Sequence, residues 1–192
     1  MSGPIGDNTA RASGVIASAA AGGLIKIGTG TFSGASTIDL GQTLGSYRIH
    51  KIFMYCRYDG GAAAQQVYVQ LTTASGVLGS NYWSSIHDST SAAAHLQYGY
   101  TSAASMRLTS DGVGDGEYTN FEMTLGNLTQ TGSYDQKTMW CNTFGANHDA
   151  GPVLHGTYAG GLNTGTAAIT DIRFLPTSGT LEGGWELYGV QN

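Results

Sequence analysis

The chain is short of charged residues. Lys, Arg, Asp and Glu make up 11% of its 192 residues, against about 25% in an average soluble domain. Its eight basic residues form no cluster, and a phosphate backbone needs clustered Lys and Arg, so nucleic-acid binding is not expected. No run reaches the roughly 18 apolar residues of a transmembrane helix, and residues 1–7 lack the basic start of a secretory signal. Membrane insertion is therefore not expected.

Cysteine and proline are also scarce. The two cysteines, Cys56 and Cys141, are too few for a disulfide framework. Each lies in an alternating apolar run, which predicts buried free thiols. The 30 glycines have no three-residue period and only three prolines accompany them, which excludes collagen. A coiled coil is excluded as well, because its Ala/Glu/Lys/Leu/Arg periodicity is missing.

What remains is a chain rich in Gly, Ala, Ser and Thr with 11 Tyr, 5 Phe and 3 Trp. From Thr31 onward, apolar and polar residues alternate between glycine-rich turns, which predicts strands. The run 47–58 is apolar on both faces and predicts a central strand, to which 66–72 is expected to return as a hairpin. The sequence therefore predicts an all-β fold for residues 31–192, an antiparallel, jelly-roll-like β-sandwich.

Residues 1–30 differ from the remainder. They are rich in Gly, Ala and Ser, contain no aromatic residue and carry only Asp7, Arg11 and Lys26 as charges. Few of their side chains are large enough to add to a core. We expect this segment to be an extended N-terminal arm that anchors the sandwich to a partner.

The usual catalytic motifs are missing. The chain has no G-x-S-x-G, no H-E-x-x-H, no phosphate-binding G-x-x-x-x-G-K-[ST] and no C-x-x-C. No catalytic residue and no cofactor is therefore predicted, and the protein is not expected to be an enzyme. A glycan depolymerase would need two acidic residues in one groove, and no spacing points to such a pair.

Two features resemble metal sites. The five histidines show no i, i+2 or i, i+4 pairing, so they are expected to be polar loop residues; a metal site between subunits is the alternative. The segment Asp111–Glu117 alternates acidic residues with glycine, as in a calcium loop, but its third position is Val113, which offers no side-chain oxygen. We predict a hairpin connection there and no metal site, with calcium as the alternative.

Three aromatic residues are candidates for recognition at the surface. Tyr82, Trp83 and Tyr134 are expected in loops, where flat rings with polar tips can stack on sugars. The alternative is that these rings belong to the core or the rim of the sandwich.

The two ends of the chain resemble known proteins. The pattern I-x-x-I-R-F, S-G and L-Y-G occurs near the C-terminus, in the residues Ile169–Leu175, Ser178–Gly179 and Gly183–Val190. This pattern resembles the C-terminal hairpin of many bacteriophage structural proteins, often tail or head fibres. The opening Gly6–Ile16 is similar to the N-terminal arms of virion proteins from marine and cyanobacterial phages.

The resemblance implies a non-enzymatic virion subunit, commonly a homotrimer. The leading hypothesis is a fibre or receptor-binding subunit. Its residues 1–30 would attach to tail, neck or capsid proteins, and its sandwich would meet the host surface, where a glycan is a candidate partner. The alternative is a capsid decoration (cement) protein that staples capsomers.

Overall fold

A computed structural model describes residues 23–59, 65–89, 95–109, 116, 118–132, 136–147, 151–162 and 167–191. Regular secondary structure in these ranges is entirely β, which confirms the predicted class. Across the same ranges the chain forms no helix long and apolar enough to span a bilayer.

The strands follow the alternating runs of the sequence. They are β1 (Leu24–Ala35), β2 (Ile38–Asp39), β3 (Ile49–Asp59), β4 (Val67–Thr73), β5 (Gly76–Val77), β6 (Tyr82–Ser89), β7 (His95–Ala103), β8 (Met106–Arg107), β9 (Thr119–Gly126), β10 (Thr138–Asn147), β11 (Gly151–Leu162), β12 (Ile169–Pro176) and β13 (Thr180–Val190).

These strands form two antiparallel sheets. The large sheet has eight strands in the order β1-β13-β3-β9-β10-β11-β6-β7. The small sheet has the order β2-β12-β4-β5, and β8 also pairs with β4. Alternate residues of both sheets are buried, so the two sheets enclose one core between them. The predicted β-sandwich is confirmed, and β3 is a central strand as expected.

The core is built from the inward parity of each strand. In β3, Ile52, Met54 and Cys56 are buried, while Phe53 and Tyr55 between them are exposed. Burying each large apolar side chain contributes about 1.5–3 kcal/mol. Both cysteines are free and buried, as predicted, and burial raises the pKa of each thiol to about 12.

Three predicted hairpins are wrong. Strand β3 pairs with β13 and β9, whereas β4 pairs with β12, β5 and β8, so the chain crosses from one sheet to the other between them. The same holds for β12 and β13, and for β8 and β9 on either side of the segment Asp111–Glu117, since the strands of each pair lie in different sheets. Alternation shows which residues face a core, but it does not show from which side of the core they come.

A β-bulge in β12 changes the face of the strand on which Ile169 lies. Uniform alternation would place Ile169 on the opposite face from Ile172. The register with β4 shifts between Ile169 and Asp171, and both isoleucines are buried. The extra residue of the bulge turns Ile169 into the core.

The N-terminal segment joins the sheet earlier than expected. Strand β1 starts at Leu24, within the predicted arm, and pairs with β13 from Leu24–Val190 to Ala35–Leu181. Residues 24–30 are therefore part of the large sheet. The predicted arm otherwise covers residues 1–22, which lie outside the described residues.

Candidate functional site

The outer face of the large sheet carries a group of exposed aromatic residues. Successive side chains of a strand point to opposite faces, so these rings lie on the side away from the core. We call this surface the aromatic face. Its rings are between 38% and 50% exposed: Phe53, Tyr55, Trp83, Trp140 and Phe144.

The structure separates the three aromatic residues predicted from sequence. Tyr82 is completely buried in β6, so its predicted place at the surface is wrong; its parity in the strand turns it into the core. Its neighbour Trp83 points the other way and is 48% exposed. Tyr134 lies outside the described residues. Trp83 thus remains a candidate for recognition.

Four rings of the aromatic face were missed as candidates. Phe53 and Tyr55 occupy the parity of β3 opposite its buried residues, and Trp140 and Phe144 do the same in β10. The sequence could have identified Phe53 and Tyr55 by their parity, because the other face of β3 already carries enough apolar residues to contact the core. Two large rings on the second face of a strand need either a partner layer or a role at the surface.

A first concavity of about 520 Å³ lies on β1, β13, β3, β9 and β10. Phe53, Tyr55 and Phe144 are the aromatic residues of its outer lining, and Glu122 and Glu186 supply carboxylates. The strand register places the two glutamates on either side of Phe53, in one row across the sheet. Aromatic surface and paired acceptors therefore meet in one concavity.

The ring of Tyr55 lies over Gly184, which faces it across the β3–β13 pair. A Cβ atom at Gly184 would come within 2.9 Å of the Tyr55 hydroxyl oxygen. On its other side, Tyr55 is 5.8 Å from the ring centroid of Tyr118, and the Arg57 guanidinium lies 5.5 Å above the Tyr118 ring. The absence of a side chain at Gly184 thus lets Tyr55 lie along the sheet.

Within the described part of the chain, three cross-strand ion pairs neutralise charged side chains on this face. Lys26 contacts Glu186 at 2.7 Å and Lys51 contacts Glu122 at 3.1 Å. A third pair joins Arg57 to Glu182. Exposed pairs of this kind contribute little to stability. Their effect here is that neither carboxylate of the first concavity carries an uncompensated charge.

Glu186 is held as a carboxylate. The hydrogen bond from Lys26 and a second one from the Tyr188 hydroxyl, 2.5 Å long, lower the pKa of Glu186 below its usual range. A glycoside hydrolase needs one carboxylic acid whose pKa is raised, so that it can protonate the leaving group. Glu186 is shifted in the opposite direction. Its chemistry is suited to accepting hydrogen bonds rather than to donating a proton.

A second concavity of about 450 Å³ lies on β6, β7, β10 and β11. Trp83 is its largest lining side chain, and its other outward residues are small, apart from Gln136: Ser85, Gly99, Thr101, Thr138 and Ala159. Lys137 also lines it, but this side chain is buried, and its ammonium group donates a hydrogen bond to the Gln130 carbonyl oxygen. The second concavity is thus a shallow slot beside one tryptophan.

The histidines and acidic residues do not assemble into a metal site where the structure describes them. Among those residues, no group of three His, Cys, Asp or Glu side chains is placed to hold an ion. His50 is buried in β3, so its expected place in a polar loop is wrong. Of the segment Asp111–Glu117, only Gly116 is described, and the question of calcium lies outside the described residues.

No protein-family model matches the chain, and no curated protein matches it. The function is therefore argued from the aromatic face and its two concavities.

Proposed function

We propose that the protein binds carbohydrate through the aromatic face, as a receptor-binding subunit of a phage virion that meets a glycan of the host surface. The observation that carries the binding function is the first concavity. It combines exposed aromatic rings with two fixed carboxylates in a volume of about 520 Å³, within the range of small-molecule sites.

A sugar ring fits this combination of groups. One face of a pyranose presents apolar C–H groups, which pack on a flat aromatic ring such as Tyr55 or Phe53. The hydroxyl groups at its edge are donors, and ionised carboxylates such as those of Glu122 and Glu186 are the strongest acceptors a protein offers them. Because the two glutamates lie on either side of Phe53, a ring seated there has acceptors at both edges.

The charges of the face favour a glycan over a protein partner. The core of a protein–protein interface is depleted of charged residues, whereas the first concavity is lined by two glutamates, each of which is paired with a lysine. A homotrimer, which we also propose, therefore uses another surface. Because both carboxylates are already paired, the expected ligand is an uncharged glycan.

The virion role is supported by the resemblance of the two ends of the chain to phage structural proteins. The charges of the first concavity favour the fibre hypothesis over the cement hypothesis, since a capsid staple binds protein and the core of a protein–protein interface is depleted of charged residues. A rigid sandwich with binding residues on its strands also presents them in a fixed geometry.

The binding function is tested by affinity electrophoresis. The protein is run through gels that contain dextran, galactomannan or hydroxyethylcellulose, with alginate as an acidic polysaccharide. We expect retardation by at least one neutral polysaccharide, its loss in Tyr55→Ala, and no loss in Tyr68→Ala. Tyr68 is the matched control because it lies on β4 of the small sheet. The proposal is wrong if no neutral polysaccharide retards the protein or if the two variants behave alike.

The virion role has its own test. Virions purified from the phage that encodes this chain are analysed by mass spectrometry and labelled with an antibody to the sandwich. We expect the chain at a tail or fibre position. Labelling spread over the capsid lattice would support the cement alternative, and absence from the particle would overturn the virion role while leaving glycan binding in place.

A further inference from the structure

We infer that the second concavity is a second sugar subsite, in which an uncharged pyranose ring stacks on Trp83 over a floor kept open by Gly99. This inference rests on the proposed glycan binding and adds to it a second, separately located position on the same ligand. Four observations carry it: the anchoring of Trp83, the environment of Gly99, the polar groups of the slot and its continuity with the first concavity.

Trp83 is held in place by the residue before it. The buried Tyr82 hydroxyl is hydrogen-bonded to the backbone amide of Leu71 in the opposite sheet, at 2.6 Å. Strand β6 is therefore fixed at this point, and Trp83 is fixed on the outer face with 48% of its surface exposed. A stacking residue carried by a fixed backbone costs less to order when a ligand binds than one carried by a flexible loop.

Gly99 has no packing reason to be glycine. It lies opposite Ser85 in β7, its φ is not in the left-handed region, and a Cβ atom built on it would meet nothing within 4 Å. Glycine inside a strand costs conformational entropy and gives up side-chain packing. By contrast, a Cβ atom at Gly160 or Gly161 would strike a backbone oxygen of the neighbouring strand. What glycine provides at position 99 is empty space in front of the sheet.

The outward polar groups of the slot are the hydroxyls of Ser85, Thr101 and Thr138 and the side-chain amide of Gln136, all of them uncharged. Among the described residues, no hydrogen bond is made by the side-chain hydroxyls of Ser85, Thr101 or Thr138. The charged lining residue, Lys137, is buried and bonded to the Gln130 carbonyl. Neutral donors and acceptors around an apolar ring are complementary to an uncharged sugar and offer nothing to bind a carboxylate or a sulfate.

The aromatic face connects this slot with the first concavity. Trp140 lies between them on β10, opposite Thr124 of β9 on one side and Ala159 of β11 on the other. Ala159 lines the second concavity, and Phe144 of the same strand β10 lines the first. One glycan chain that occupies both concavities gains from linked binding, because the second contact is made at a high effective concentration.

The test fills the slot without disturbing the fold. Gly99→Val places a branched side chain on the open floor, and valine is a favourable residue in a strand. The matched control is Gly79→Val, since Gly79 also has open space around its Cβ position and no left-handed φ, and it lies outside both concavities. Trp83→Ala removes the stacking surface itself.

We expect Gly99→Val and Trp83→Ala to weaken retardation by the neutral polysaccharide about tenfold, at melting temperatures close to that of the wild type. Gly79→Val should bind like the wild type. If Tyr55→Ala abolishes binding while Gly99→Val and Trp83→Ala leave it unchanged, the second subsite is wrong and the proposed function stands. Equal loss in both valine variants, or stronger retardation by alginate than by the neutral polysaccharides, also overturns the inference. No binding to any neutral polysaccharide overturns both.

Discussion

The backbone amide of Leu71 donates a hydrogen bond of 2.6 Å to the phenolic oxygen of Tyr82, across the interior of the sandwich. The bond joins β4 of the small sheet to β6 of the large sheet. β8 pairs with β4 at Tyr68 and Val69, and β5 pairs with it at Thr72 and Thr73. The amide of Leu71 falls in the gap between these neighbours, and Tyr82 supplies the acceptor that no strand provides there.

Tyr82→Phe is expected to destabilise the fold. The substitution keeps the ring but leaves the buried amide of Leu71 without an acceptor, which costs about 1–3 kcal/mol. Chemical denaturation monitored by circular dichroism measures the free energy of unfolding. Tyr55→Phe is the control, because it removes a hydroxyl from an exposed ring, and an equal loss in both variants would contradict the role given to the Tyr82 hydroxyl.

The free energy of unfolding is expected to fall as the pH drops below about 6.5, because His50 takes up a proton more readily in the unfolded chain than in the folded one. Its Nε2 lies 2.7 Å from the Leu44 carbonyl oxygen and so carries the proton, while its buried Nδ1 has no partner among the described residues. Burial lowers the pKa of His50 from its ordinary value of 6.5. Between 6.5 and the folded-state pKa the unfolded chain binds a proton that the folded chain does not, so stability decreases with decreasing pH.

The measurement is the free energy of unfolding between pH 8 and pH 5 for the wild type, His50→Gln and His87→Gln. We expect the slope below pH 6.5 to become shallower in His50→Gln and to persist in His87→Gln, whose histidine is exposed. An unchanged slope in His50→Gln would show that other groups cause the acid sensitivity.

Gly184→Val is expected to weaken glycan binding about tenfold, corresponding to about 1.4 kcal/mol. The new side chain would meet the far end of the Tyr55 side chain, so the ring moves rather than the backbone. Binding is measured by affinity electrophoresis, and thermal melting checks the fold. Gly183→Ala provides the contrast, because its Cβ atom would strike the Tyr55 backbone oxygen. We expect this variant to lower the melting temperature of the protein, whereas Gly184→Val should mainly lower its affinity for the glycan. Normal binding by a folded Gly184→Val would contradict the position assigned to Tyr55.

Two truncations separate anchoring from folding. Removing residues 1–22 should leave a sandwich that melts like the full chain but is not incorporated into virions. Removing residues 1–30 also takes the part of β1 that pairs with Trp185–Val190 of β13, so that chain should melt at a lower temperature. An unfolded or normally incorporated chain without residues 1–22 would contradict the anchoring role.

The sequence by itself determined the class of fold and, for most strands, which residues share a face. Alternation is a local property with a period of two residues, so the division of β3 into one face with Phe53 and Tyr55 and another with Cys56 is readable from neighbouring residues, as is the apolar run around Cys141. Ile169 is an exception to this pattern, because the bulge in β12 reverses its parity and leaves no signal in the alternation.

Only the tertiary structure decided which strands pair and which side chains come together in the two concavities. The same alternation suits either sheet, so β3 and β4, or β12 and β13, look like hairpins although each pair spans two sheets. Whether Tyr82 or Trp83 faces solvent depends on which side of β6 the small sheet covers. The carboxylates of Glu122 and Glu186 come together in the first concavity, and Glu186 is paired with Lys26, which lies 160 residues away in the chain. Long-range pairing of this kind is set by the packing of the whole core, which no short stretch of sequence contains.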